Sequence, residues 1–151
     1  MTLTSLLDEL RRTRDETLKC YALGADDLER TYGPGKWSVR YILLHLADSE
    51  TVFYERIRRV ICEPELKVWF YDQDRWAATL DYSQVPLELS RSLYEPSRAA
   101  NMYYAGRFYE SHGHVKFTHS TAGLRTLKDE FDKVAEHNEH HLSQIRTALR
   151  R

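Results

Sequence analysis

Apolar residues return every three or four positions along four long segments of this chain, and that spacing decides the fold class, because it builds one buried stripe per helix. In the first segment Leu3, Leu6, Leu7, Leu10, Thr17, Leu18 and Tyr21 keep the spacing, with charged residues between them. Gly24 reads as a stop, and Tyr32-Gly33-Pro34-Gly35 as a tight connection. The second segment opens at Ser38, whose hydroxyl can cap a helix starting at Val39, and carries Ile42, Leu46, Phe53, Ile57 and Val60 on one face. The third runs from Pro86 to Arg107 with Leu89, Leu93, Ala100 and Tyr103 or Tyr104 in register. Pro96 lacks an amide donor and should kink that helix or restart it near Glu95. The fourth repeats Leu124, Leu127, Phe131, Val134, Ile145 and Leu149. The fold class expected is all-α.

The connection from Cys62 to Pro86 breaks this periodicity and concentrates Trp69, Phe70, Tyr71, Trp76 and Tyr82. A link of that length usually carries structure or function of its own. A short helix over Asp74 to Leu80 is expected there, folding across one end of the bundle. The rings either wall a pocket or seal the end of the core.

A length of 151 residues fits one domain spanning 1–151. Lysine and arginine number 22 against 23 aspartate and glutamate, so the electrostatic footprint of a general nucleic-acid binder is missing and no nucleic-acid partner is expected. No apolar run approaches the roughly twenty residues that a membrane helix needs, and Met1-Thr2-Leu3-Thr4 leads straight into a charged amphipathic segment. Cytoplasmic location with no membrane partner is the expectation. Cys20 and Cys62 form no CxxC pair and read as small core residues.

Chemistry concentrates in three histidines. His137 and His141 stand four apart, so one helix face presents both imidazoles to one point. His45 lies about 60° from the centre of the second segment's apolar stripe and can supply a third from a facing helix. Three imidazoles suit a divalent transition metal and leave coordination positions open for an incoming nucleophile, the pattern of catalytic rather than closed structural sites. The competing reading makes them ordinary core or boundary histidines, and helix register is what separates the two. The residue after His137 is Asn138, so the HExxH pattern is absent, as are the paired ExxH motifs of di-iron bundles. His112, His114 and His119 fall in a polar connection and read as surface or hydrogen-bonding groups, and His140 faces solvent. Asn138 lies in the middle of a buried face and demands a specific partner. Arg56 returns to nearly the angle of His45 and can line the same crevice.

The stretch Gly35-Lys36-Trp37-Ser38-Val39-Arg40, then His45-Leu46-Ala47-Asp48-Ser49-Glu50, and finally His137-x-x-x-His141-Leu142-x-Gln144-Ile145 resembles the DinB/YfiT-like superfamily of metalloenzymes. Tyr71-Asp72-Gln73-Asp74-Arg75-Trp76 and His119-Ser120-Thr121-Ala122-Gly123 are similar to its intervening pieces. The resemblance implies an antiparallel four-helix bundle with a long crossover, and a divalent metal, zinc, nickel, iron or manganese, held by His45, His137 and His141. It implies a homodimer through exposed helix faces. Relatives in that superfamily include S-transferases using bacillithiol, mycothiol or glutathione, and a maleylpyruvate isomerase. The family name refers to DNA-damage induction and carries no argument for DNA binding. Pro96 departs from the smoother third helix of relatives.

The leading functional expectation is a metal-dependent enzyme of the thiol S-transferase kind, acting on a small-molecule substrate with a low-molecular-weight thiol as cosubstrate. Trp69, Tyr71 and Trp76 would roof its pocket, with Asp48, Asn138 and Gln144 orienting imidazoles or waters. A metal-dependent hydrolase is one alternative, and a non-catalytic bundle that binds a ligand or partner is the other.

Overall fold

Three of the four long helices begin at a residue whose side chain accepts from a free amide, and the third long helix in chain order begins at Pro86 without such a cap. In the computed structural model, which describes residues 1–150, α1 (Leu3–Cys20) starts with a reciprocal box, the Ser5 amide donating to Thr2 Oγ1 at 3.1 Å and the Thr2 amide to Ser5 Oγ at 3.0 Å. After a short α2 (Ala25–Leu28), α3 (Val39–Cys62) begins at Ser38, which accepts from the Tyr41 amide at 3.3 Å. Gly24 therefore opens α2 rather than only ending α1. The crossover carries α4 (Gln73–Thr79), capped by Asp72, where the sequence places a short helix. α5 (Leu87–Phe108) is followed by a two-stranded hairpin, β1 (Lys116–His119) and β2 (Gly123–Thr126), and then by α6 (Leu127–Leu149).

The four long helices form a bundle in which α1 and α3 each pack against both α5 and α6. One apolar cluster joins Leu6, Leu10, Ile57, Val60, Ala105 and Phe131, from the start of α1, the ends of α3 and α5, and the start of α6. A second joins Cys20, Val39, Ile42, Tyr94, Leu142 and Ile145 at the other end. The long crossover from residue 63 to 86 thus returns the chain along the bundle, so α5 runs in the same direction as α3, while α6 is antiparallel to both. No helix among the described residues is long and apolar enough to cross a membrane.

Between the two apolar clusters lies a charged layer that reaches every long helix. Arg98 is fully buried and donates to the Leu10 carbonyl at 3.1 Å, to Thr13 Oγ1 at 2.9 Å, and to Glu50 and Asn138. Asn101 donates to Glu50 Oε2 at 2.9 Å, the Tyr94 hydroxyl to Asn138 Oδ1 at 2.7 Å, and Asn138 Nδ2 to Thr17 Oγ1 at 3.0 Å. Asn138 has its partners, and they are structural.

Four expectations from the sequence are corrected. The buried stripe of α5 is Ser90, Tyr94, Arg98, Asn101 and Ala105, while Leu89, Leu93 and Tyr103 are exposed, because hydrogen-bonded polar groups take the inner face. The helix runs unbroken through Pro96, which stands on the exposed side while the buried stripe holds both flanks in place. Leu124 is 69% exposed in β2 and does not belong to the last helix, which starts at a second box formed by Thr126 and Asp129. Cys20 is buried, as expected, but Cys62, expected in the core, is exposed as the last residue of α3.

The hairpin fixes the crossover. The Val68 amide donates to the Thr118 carbonyl at 2.9 Å, and the Ser120 amide to the Val68 carbonyl at 2.8 Å, so the chain enters Trp69 to Tyr71 on a set course. Val68 and Phe117 are buried beneath this junction.

Candidate metal centre

α3 and α6 pack antiparallel, and their contact brings together the three histidines that the sequence singles out. Each of His45, His137 and His141 offers one ring nitrogen, and these nitrogens all lie within 4.8 Å of one another. Nε2 of His45 is 3.0 Å from Nε2 of His137. Two nitrogens each about 2.0–2.1 Å from one tetrahedral zinc would stand roughly 3.3 Å apart, so the separation fits a shared cation. The ring centroids are 4.6–5.0 Å apart and the rings meet edge to face.

Their surroundings keep all three imidazoles in the form a cation needs. Burial lowers His45 to about 3, with His141 adding to the effect. Burial lowers His141 to about 4 against the opposing pull of Gln144. His137 is driven well below its ordinary value by burial and then by the other two rings. Neutral imidazole, with a free lone pair, is the ligating species.

Neighbouring side chains set which nitrogen is offered. His141 Nδ1 donates to Gln144 Oε1 at 2.8 Å, which leaves Nε2 free, and Gln144 Nε2 lies 3.1 Å from His140 on the exposed side. The Tyr71 hydroxyl lies 3.3 Å from His45 Nδ1 and is hydrogen-bonded to Ser49, whose Oγ is 3.3 Å from His45 Nε2. Trp37 packs on the His45 ring at 5.2 Å and Phe53 on His137 at 5.6 Å. Trp37 is delivered by the turn at Gly35, where φ is +70° and a side chain would be strained.

Of the groups expected to orient the imidazoles, Gln144 does so. Asp48 instead accepts from the Tyr82 hydroxyl, and Asn138 belongs to the charged layer. Of the expected roof, Tyr71 faces His45, and Trp76 meets the Tyr71 ring edge-on at 4.8 Å. Trp69 is 69% exposed, its carbonyl holding Arg56. His119 accepts from the Thr121 and Ala122 amides at 3.2 Å, a turn-holding role, while His112 and His114 are exposed. Ser49 and Trp37 escaped the sequence reading as site residues. Ser49 could have been found, because it stands one turn beyond His45 on the same face.

Two cavities reach the histidines from different sides. One of about 350 Å³ lies between Lys36, Trp37, Asp74, His137, His141 and Gln144. Another of about 410 Å³ lies between Ser49, Arg56, Tyr71, Arg125, Glu130 and His137. Gln73 borders both. The larger grooves, about 720 and 740 Å³, gather around Trp76 and touch none of the three histidines, so size does not mark the site here.

Comparisons with known proteins bear on the family and the fold. A protein of Oceanobacillus iheyensis named "Putative metal-dependent hydrolase OB0413" is 30% identical over 128 residues, covering 85% of this chain and 73% of its own length. A similarly named protein of Halalkalibacterium halodurans is 26% identical over 139 residues, covering 91% and 81%. The solved structure of YfiT from Bacillus subtilis, whose title describes "a probable metal-dependent hydrolase with an unusual four-helix bundle topology", superposes with a TM-score of 0.81 at 20% identity, over 95% of this chain and 83% of that one. The model of the DinB superfamily matches residues 9–145, from within α1 to within the last turns of α6, and includes all three histidines. By that match, the chain belongs to the DinB superfamily.

Proposed function

We propose that His45, His137 and His141 hold one divalent transition metal, zinc, nickel, iron or manganese, and that the protein is a metal-dependent enzyme. The observation that carries this reading is the convergence of three imidazole nitrogens within 4.8 Å, from two buried rings and the half-buried His137, with no carboxylate in the cluster. A divalent cation among neutral ligands keeps its full charge, so it supplies Lewis-acid polarisation and lowers the pKa of a nucleophile bound beside it.

The protein's own groups do the rest. Gln144 holds the His141 ring in one tautomer, the Tyr71 hydroxyl, itself bonded to Ser49, lies against His45 Nδ1 and leaves Nε2 for the metal, and Trp37 and Phe53 shield the imidazoles from bulk water. The two cavities favour a reaction with two organic reactants, one approaching past Lys36 and Trp37 and the other past Tyr71 and Arg56. That supports transfer of a low-molecular-weight thiol to an electrophile, as the family resemblance implies. The names of the relatives support a second reading, hydrolysis.

Zinc- and nickel-loaded protein is assayed with chlorodinitrobenzene plus a small thiol, and with ester and amide panels lacking thiol. The transfer reading expects turnover that requires thiol and is lost in His45→Ala and His141→Ala. Ester or amide turnover that ignores added thiol would replace it with the hydrolase. A non-catalytic bundle would show no turnover and would keep its stability after chelation.

A further inference from the structure

The cavity between α3, α6 and the hairpin is lined by more positive than negative groups. Arg56 comes from α3, Arg125 from β2 and Lys133 from α6, against Glu130 and Glu136 of α6. His119 from β1 and the Gln73 amide complete the polar lining, while Phe53, Phe70 and Tyr71 supply aromatic wall. His137 closes the inner end.

Arg56 is held in place but not satisfied. Its side chain is 10% exposed and its Nη2 donates to the Trp69 carbonyl at 2.6 Å. Nη1 stands 3.6 Å from Glu130 Oε1, too far for a hydrogen bond, and neither Arg56 Nε nor Glu130 Oε1 has a partner. A buried guanidinium with spare donors is costly unless something else accepts from it. Burial pushes the Glu130 carboxyl upward against the opposing pull of Arg56 and Arg125. Arg125 donates to the Asp129 carbonyl at 3.4 Å, a long contact that leaves most of its donors for solvent or ligand.

The geometry points to an oxyanion-binding site: this cavity takes a small molecule that carries a carboxylate or phosphate on an apolar, preferably aromatic, body. The anion sits among Arg56, Arg125 and Lys133, and the body lies along Phe53 and Tyr71 toward His137. The volume of about 410 Å³ suits a ligand of that kind. Guanidinium supplies a planar fork that matches carboxylate and phosphate oxygens. The inference rests on the proposed metal centre only in naming which substrate group lies away from the reacting end, and it stands on the side chains of the cavity itself.

The test uses benzoate, phenyl phosphate and the neutral isostere benzamide, titrated into metal-free and zinc-loaded protein by calorimetry, with zinc content measured separately. Benzoate, phenyl phosphate or both should bind in either form, at least about tenfold more tightly than benzamide and more weakly as salt is raised. Arg125→Gln and Lys133→Gln should each weaken the anion several-fold while zinc content stays that of the parent. Arg11→Gln, on the exposed face of α1, should change nothing. Arg56→Gln should weaken it most, and the two rim variants keep the test decisive if Arg56→Gln does not fold. Which anion binds more tightly identifies the group. The site is overturned if benzamide matches both anions, if neither anion binds, or if binding appears only with zinc and ignores Arg125→Gln. Loss of zinc uptake with anion binding intact would sink the metal centre and spare this site.

Discussion

At the scale of residues, the centre depends on which nitrogen each imidazole offers. Gln144 accepts from His141 Nδ1 at 2.8 Å and so fixes Nε2 as the free donor. Gln144→Ala should therefore lower zinc affinity about 10- to 100-fold, measured by competition with a chelating dye, while the circular dichroism spectrum stays unchanged. The same burial that frees the lone pairs makes the metal-free protein sensitive to acid. His45 and His141 titrate near 3 and 4 when folded, against 6.5 as unperturbed groups, so protonation favours the unfolded chain. The contribution is complete above pH 6.5 and drains away as the pH falls toward 3. By pH 5 each of these imidazoles costs on the order of 1–2 kcal/mol, which should appear as a lower urea midpoint at pH 5 than at pH 7. The drop should be smaller in His45→Leu. The late pair was legible because i and i+4 share a helix face, and His45 because it borders its own apolar stripe. Tyr71 could be placed near the pocket but not against His45 Nδ1, since that contact depends on where the hairpin docks the crossover.

Among the elements, α3 and α6 could be read from apolar spacing and α5 could not. The inner face of α5 carries Ser90, Arg98 and Asn101, so hydrophobicity pointed to Leu89 and Leu93, which are exposed. A stripe of that kind becomes visible only when its partners Glu50, Thr13 and Asn138 are known, and they come from three other helices. The hairpin was missed because each strand has only four residues. The box at Thr126 and Asp129 was, by contrast, a local signal that could have fixed the true start of α6. Arg98→Ala leaves Glu50 buried without its cation and should cost about 3–5 kcal/mol in chemical denaturation. The double variant Arg98→Met/Glu50→Leu should recover more than half of that loss, because it removes the uncompensated charge and fills the space with apolar volume.

Across the whole molecule, the crossover makes a site possible. It lets α3 and α5 run the same way, sets α3 antiparallel to α6, and brings Tyr71 and Trp76 back over the seam where the histidines meet. The charged layer lies beside this seam, since Asn138 follows His137, so the helix that presents two imidazoles is also anchored to α1 and α5. The resemblance drawn from short motifs carried the topology that periodicity alone could not, because a stripe of apolar residues records which face is buried but not which neighbour buries it. The most direct check of the central claim is anomalous scattering from crystals grown with zinc. It should show one peak about 2.0–2.2 Å from a ring nitrogen of each of His45, His137 and His141. A peak bound by His137 and His141 alone, with the His45 ring turned away, or no peak between the three rings, would contradict it.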